Sequence, residues 1–195
     1  MAVSPPVAGR PRDARIDEAV LQATRELVAE CGYSDLTMTA IAARAGTSVP
    51  ALRRRWATKA QVVHEAVFPE SAARAPETGG SLADEIRVVV ETCVELLCSE
   101  AGRRATPGLI ADLAADPELQ RQLSARMWSA AWDGLAARID RATARGEIRA
   151  PIDLALFVET VFGTTLMAVV LRGPEAVDAA WRDSFVATLL HGLAV

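Results

Sequence analysis

Apolar side chains recur every three or four residues along most of the chain, the spacing that places them on one face of an α-helix. The first such run covers residues 13–31, and Gly32 ends it. Two short helical patterns follow within residues 37–56, separated by a turn at residues 46–48, and another pattern covers about residues 59–68. No run alternates apolar and polar residues as a half-buried strand does, so the pattern predicts an all-α fold.

The second half of the chain shows the same helical spacing with clear start signals. Ser81 and Asp84 form a capping-box pattern, and two prolines each follow a residue suited to an N-cap, Thr106 and Asp116. The pattern predicts helices beginning at these points and two more near the carboxyl end. Their expected extents are about 82–99, 107–114, 117–146, 154–171 and 175–193.

Composition along the chain predicts where its units meet. Residues 1–12 are rich in proline and are expected to be a disordered tail, whereas residues 69–80 have the composition of a linker. Between them, residues 13–68 form an N-terminal unit of four helical patterns. We expect residues 81–195 to form a larger helical domain, since 195 residues suffice for one small and one larger core.

Charge is distributed unevenly between these units. The chain has a formal net charge of −4 and a pI near 5.3, which by itself argues against a polyanionic partner. However, no acidic residue occurs between Thr37 and His64, and that stretch carries the cations Arg44, Arg53, Arg54, Arg55 and Lys59. A basic N-terminal unit on an acidic body indicates a nucleic-acid partner.

The basic stretch also carries a recognisable order of residues. The segment TMTAIAARAGTSVPALRRRWATK, residues 37–59, resembles the DNA-binding signature of TetR-type transcriptional regulators. The resemblance implies an N-terminal helix-turn-helix domain and a larger C-terminal domain that binds a ligand and dimerises. Arg53 departs from the pattern, because the family usually has a tyrosine at this position that contacts phosphate. A guanidinium contact would have to replace it.

The second helix of this motif is expected to enter the major groove of an operator. Val49, Pro50 and Ala51 suit contact with thymine methyl groups, and Arg54 suits a bidentate pair with guanine. We expect Arg53, Arg55 and Lys59 to contact phosphates, with neutral hydrogen bonds from Thr39 and Ser48. The alternative for each arginine is an ordinary solvated charge.

A small-molecule effector and a homodimer are implied by the resemblance. Candidate ligand-binding residues are Glu91, Cys93, Glu95, Leu97, Met127, Trp128, Trp132 and Phe162. The alternative is that the tryptophans simply belong to the core. Residues 154–171 carry a single charge, Glu159, so this helix should be covered both by its own domain and by a second subunit. The residues expected at that dimer interface are Phe157, Val161, Thr165, Trp181, Phe185 and Leu189.

Other classes of protein find less support in the residues. There is no paired metal-ligand motif, Gly-rich phosphate loop or Ser-His-Asp order, so we expect no enzyme, metal or cofactor. The three cysteines are expected to be buried thiols, and without a signal peptide or membrane span the protein should be cytoplasmic. The remaining alternative is a helical interaction module without sequence-specific DNA binding.

Overall fold

The computed structural model describes residues 14–73, 80–148 and 152–193. Within these ranges it describes only the backbone of residues 14, 72–73, 126–134 and 193. No β-strand occurs in the described ranges, which confirms the all-α prediction. A 3₁₀ turn at Pro174–Ala176 accompanies the α-helices. The helices are α1 (Ala14–Asp35), α2 (Met38–Arg44), α3 (Val49–Arg53), α4 (Lys59–Val67), α5 (Glu70–Ala73), α6 (Leu82–Cys98), α7 (Glu100–Ala115), α8 (Pro117–Ala144), α9 (Leu154–Arg172) and α10 (Ala179–Leu193).

Side-chain caps determine where the short helices of the first half begin. The Thr37 hydroxyl accepts a hydrogen bond from Ala40 N at 3.1 Å and starts α2. Ser48 starts α3 in the same way, and Thr58 forms a capping box for α4. Each cap satisfies an amide that the first helical turn leaves without a partner, a contribution of about 1 kcal/mol. Gly46 adopts φ +65° between α2 and α3 and so permits the tight turn of the motif.

The first hydrophobic core extends beyond the predicted N-terminal unit. It is formed by α1 to α4 together with α7 and the start of α8, which contribute Ala105, Leu109, Leu119 and Leu123. Sequence composition places a boundary at residues 69–80, and part of that stretch is helical, since α5 lies at Glu70–Ala73. Helices that follow the predicted linker, α7 and the start of α8, therefore complete the core of the helix-turn-helix domain.

The second hydrophobic core lies among α6, the later part of α8, α9 and α10. Helix α6 packs against both α9 and α10 and contributes its predicted apolar stripe, including Ile86, Val90 and Leu97. Phe68, at the end of α4, packs against both cores, and its ring meets that of Phe162 edge-on at 6.0 Å between centroids. The two cores are thus continuous through one aromatic side chain.

Helix α7 begins earlier than its proline suggests. The sequence predicts a start at Pro107, but the helix runs from Glu100 with Pro107 inside it. Ser99 caps the true start by accepting a hydrogen bond from Gly102 N at 2.9 Å, and the Thr106 hydroxyl bonds to Gly102 O instead of capping. Packing of Ala105 and Leu109 into the first core offsets the backbone hydrogen bond that Pro107 removes.

The predicted dimer-interface residues point into the protomer. Phe157, Val161, Thr165, Phe185 and Leu189 are all less than 9 % exposed, and Trp181 is half-buried against Phe185. Their own core already covers these five side chains, and their place at a dimer interface stays a prediction. The helical spacing was read correctly, but it belongs to the inner faces of α9 and α10.

The outer face of α9 is unusually apolar. Leu156, Met167, Val170 and Leu171 are 52–71 % exposed along this face. By length and composition α9 could cross a membrane, with a mean hydropathy of 2.1 and 22 % of its residues buried. Core helices of soluble proteins have the same composition, and here the inner face of α9 packs into the second core. The exposed half of α9 is therefore an apolar surface that the second core does not cover.

Two smaller predictions also differ from the structure. Helix α10 begins at Ala179 and not near Glu175, because Gly173 ends α9 at φ +88° and a 3₁₀ turn precedes α10. Cys93 is buried as expected and Cys98 is half-buried, but Cys31 is exposed. Cys31 is the residue before the break that Gly32 makes in α1.

Candidate nucleic-acid interface

Helix α3 is held against the first core by one face. Leu52 is 1 % exposed and Trp56 is 3 % exposed, although Trp56 lies beyond the end of the helix. The Trp56 indole N–H donates to the Glu65 carboxylate on α4 at 2.7 Å, so a buried polar group is satisfied while it joins the two segments. With this face fixed, the other side of α3 has to point away from the protein.

The outward surface of α3 contains the residues expected to read DNA. Pro50, Arg53 and Arg54 are exposed, and Val49 and Ala51 are half-buried beside them. We call these five residues the reading face. Thr39 on α2 and Ser48, the N-cap of α3, are exposed, and Arg55 and Lys59 are half-buried. None of the nine candidates is fully buried, and six of them lie on α3 or are its caps.

Arg55 is less free than its position in the sequence suggests. Its guanidinium forms a salt bridge with Asp17 on α1, and both side chains are mostly buried, at 20 % and 28 % exposed. In this structure Arg55 therefore joins the end of the reading helix to α1, and its expected phosphate contact stays a prediction. A half-buried pair resists disruption, since separating it would leave a charge in a poorly hydrated place.

Arg44 is also engaged within the protein. It donates two hydrogen bonds to the Glu30 carboxylate, at 2.9 and 2.8 Å, and lies 3.6 Å from Glu26. These hydrogen bonds lower the pKa of Glu30 and raise the pKa of Arg44. Glu30 lies on α1, outside the stretch that lacks acids, so the local sequence gave no sign that Arg44 is neutralised.

Lys59 is held by neutral groups. Its ammonium donates to the carbonyl oxygen of Tyr33 at 2.9 Å and lies 4.2 Å from the centroid of the Tyr33 ring. Arg53 and Arg54, in contrast, form no ion pair or side-chain hydrogen bond with any residue that the structure describes. The positive potential at the reading face therefore comes from these two guanidinium groups and from Lys59, whose ammonium forms no ion pair within the described part of the chain.

The candidate ligand residues are dispersed in the second half. Glu91 pairs with Arg182 at 2.9 Å, Cys93 and Leu97 are buried in the second core, and Glu95 is exposed. Phe162 packs on the second core beside Phe68. The side chains of Met127, Trp128 and Trp132 lie outside the described residues.

The structure adds a buried ion pair that sequence reasoning missed. Arg138 on α8 donates to Glu85 on α6 at 2.9 Å, and both side chains are only 4–6 % exposed. The pair borders a small cavity of about 10 Å³, room for about one water molecule. Its signal in the sequence was Glu85 itself, which lies three residues after Leu82 within the apolar stripe of α6.

Two family models match the chain over these two halves. Residues 20–66 match the bacterial regulatory proteins of the tetR family, and residues 75–189 match the tetracyclin repressor-like C-terminal domain. The chain belongs to the TetR family. This TetR-family protein is accordingly a transcriptional regulator whose DNA-binding part is the helix-turn-helix motif built by α2 and α3.

Relatives and solved structures extend along nearly the whole TetR-family chain. An uncharacterized HTH-type transcriptional regulator of Bacillus subtilis, YdeS, is 26 % identical over 177 residues, covering 90 % of this chain and 88 % of YdeS. Salmonella enterica GusR has the same fold, with a TM-score of 0.64, 23 % identity, and coverage of 92 % of this chain and 95 % of GusR. A Saccharomonospora viridis regulator in complex with choline gives a TM-score of 0.63, 19 % identity, and coverage of 94 % and 100 %.

Proposed function

We propose that this TetR-family regulator is a homodimeric repressor that binds a palindromic operator and leaves it when a small apolar or amphipathic molecule binds its C-terminal half. The observation that carries the proposal is the reading face. Two uncompensated guanidinium groups stand beside apolar side chains on a helix that the core holds outward. Such a regulator acts where the DNA is, which supports the cytoplasmic assignment.

The chemistry of the reading face divides its contacts into two kinds. Val49, Pro50 and Ala51 have only apolar side chains, which suit thymine methyl groups, and Arg54 suits the O6 and N7 acceptors of guanine. Arg53 lies on the same exposed surface and takes the phosphate contact, as does Lys59 at the start of α4. Thr39 and the exposed Ser48 add neutral hydrogen bonds to the backbone.

The outer face of α9 supports dimerisation with a second copy of this chain. Leu156, Thr160, Gly163, Met167 and Val170 follow each other at spacings of four, three, four and three residues, which form one seam on a helix. Gly163 lies at the centre of the seam, and a Cβ atom added there would meet nothing within 4 Å. A two-fold axis at Gly163 brings Leu156 of one copy opposite Val170 of the other.

The energy of covering this face is comparable to the cost of association. Full burial of a large apolar side chain contributes about 1.5–3 kcal/mol. Covering the four partly exposed ones of α9 in both copies therefore contributes on the order of 10 kcal/mol; they are Leu156, Met167, Val170 and Leu171. Association costs about 4–15 kcal/mol in lost freedom of motion. The outer face of α10, with its small residues Ser184, Ala187 and Thr188, then supplies the additional close contact that a stable dimer needs.

A dimer suits operator recognition because it fixes the separation of two reading helices. Successive major grooves lie about 34–36 Å apart, so a ligand that favours another spacing releases the DNA. The effector site is proposed among the α6, α8 and α9 residues predicted for it. The S. viridis regulator in complex with choline has the same fold and binds a small molecule, which supports an effector for this chain as well.

The experiment is selection of duplexes from a random DNA pool by the purified full-length protein, followed by measurement of affinity for the enriched duplex. Arg54→Ala is expected to weaken binding and to relax the preference at one guanine position by about 1–3 kcal/mol. Arg87→Ala is the matched control, because it removes the same charge from the exposed surface of α6. That variant should bind like the wild-type protein.

Two results would contradict the proposal. Selection that enriches no common sequence would favour the alternative, a helical interaction module without specific DNA recognition. An enriched sequence without two-fold symmetry would refute the palindromic operator. Addition of candidate effectors, with choline as the first probe, is expected to reveal one that lowers affinity at saturation.

A further inference from the structure

Three residues from separate helices meet at the start of α4. Lys59 is the first residue of α4, Tyr33 follows the break in α1, and Asp112 lies on α7. The Lys59 ammonium donates to the Tyr33 carbonyl at 2.9 Å and lies over its ring, while the Tyr33 hydroxyl donates to the Asp112 carboxylate. The tyrosine therefore connects a helix outside the helix-turn-helix motif to the lysine at its edge.

The position of the Tyr33 ring is set by α7. Tyr33 is only 5 % exposed, and Gly108 lies against its ring, where an added Cβ would come within 2.2 Å of Cδ1. Only a residue without a side chain allows this approach. Burial and, after it, the hydrogen bond to Asp112 raise the pKa of Tyr33, so the hydroxyl stays a neutral donor. Helix α7 thus fixes both the plane and the tip of the ring.

We propose that Gly108 and Asp112, acting through Tyr33, are positioning residues that hold Lys59 ready to contact a DNA phosphate. An ammonium has three N–H donors, and the Tyr33 carbonyl uses one of them, which leaves donors for a phosphate. A lysine side chain has much rotamer freedom to lose, and a site that already restricts it lowers the entropic cost of binding. The inference rests on the proposed DNA-binding function.

The groups around Lys59 favour positioning over neutralisation. A carbonyl oxygen and an aromatic ring attract the ammonium but carry no net charge. Arg44 and Arg55, in contrast, are paired with carboxylates. Asp112 bonds the hydroxyl at the tip of the ring, so its role is to orient Tyr33. The full positive charge of Lys59 therefore remains available to the phosphate.

The test is a double-mutant cycle on binding of the duplex selected above. For a dimer, Lys59→Ala is expected to reduce the magnitude of the slope of log affinity against log salt concentration by about 2, since it removes a phosphate contact from each protomer. Gly108→Ala displaces the Tyr33 ring and is expected to weaken binding at least about fivefold, the effect of having to order one freed lysine side chain in each protomer when DNA binds. In the Lys59→Ala background the same substitution should have almost no effect.

Controls separate positioning from a general loss of structure. Ile110→Ala changes an exposed residue of the same helix and should leave affinity unchanged. Tyr33→Phe removes only the hydroxyl and should also weaken DNA binding. It therefore provides the same test if the Gly108→Ala variant folds poorly. Equal losses with and without Lys59 would overturn the positioning role. Absence of any effect from both Lys59→Ala and Arg53→Gln would instead refute the DNA-binding surface itself.

Discussion

Replacing Arg55 with glutamine tests whether this side chain stays paired with Asp17 or contacts a DNA phosphate when the protein binds its operator. If Arg53, Arg55 and Lys59 all contacted phosphate, a dimer would make six contacts and the log–log salt slope would be about −5. The structure instead pairs Arg55 with Asp17, which leaves Arg53 and Lys59 in each protomer. Four contacts predict a slope of about −3.5.

The measurement is fluorescence anisotropy of the selected duplex between about 50 and 200 mM salt, the range over which phosphate contacts dominate the change in affinity. Arg55→Gln is expected to leave the slope unchanged and to lower thermal stability, because Asp17 loses its partner. Arg53→Gln is the matched variant on the same helix. It should reduce the magnitude of the slope by about 2 and leave stability unchanged, since Arg53 is exposed.

A wild-type slope near −5 that falls in magnitude by about 2 in Arg55→Gln would refute this reasoning. It would mean that Arg55 leaves Asp17 when the protein meets DNA. A slope near −3.5 that Arg53→Gln does not change would remove Arg53 from the phosphate contacts and leave the family's tyrosine contact without a replacement here.

Three further predictions concern assembly, reactivity and stability. Gly163→Leu should convert the dimer to a monomer in light scattering, whereas Ala111→Leu on the exposed side of α7 should not; a dimeric Gly163→Leu protein would exclude the proposed seam. Burial raises the pKa of Cys93 to about 12, so a thiol reagent at about pH 8 should modify the exposed Cys31 quickly and Cys93 only after unfolding; equal rates would contradict the burial. Arg138→Ala removes the buried cation that pairs with the Glu85 carboxylate and should lower the free energy of unfolding in urea by about 3–5 kcal/mol; a loss under about 1 kcal/mol would indicate that water reaches the pair.

Local signals predicted much of the fold because they act within a few residues. The caps Thr37, Ser48 and Ser81 each satisfy an amide three residues away, so the spacing in the sequence is also the geometry of the hydrogen bond. The same holds for Leu52, whose place in the apolar pattern put it on the buried face of α3. Exposure of Pro50 and Arg54 on the opposite face followed from that spacing.

Features that depend on distant parts of the chain could not be predicted from local sequence patterns. Nothing near Arg55 indicates that Asp17, on another helix, will neutralise it, and the spacing of apolar residues in α9 does not say which side faces a partner. Phe157 and Val161 lie on the inner face of α9, which the spacing alone does not distinguish from the outer face. Pro107 misled for a related reason, because its local cost is outweighed by packing against helices far away in sequence.

The participation of α7 and the start of α8 in the first core bears on any attempt to build hybrid regulators. A chimaera that joins this motif to a foreign sensor domain within residues 69–80 would lack Leu109, Leu119 and Leu123. The transplanted segment would then expose the surface that these leucines cover, together with Tyr33. Grafts that keep residues 100–123 with the motif retain its whole core, because that core runs past the junction that sequence composition suggests.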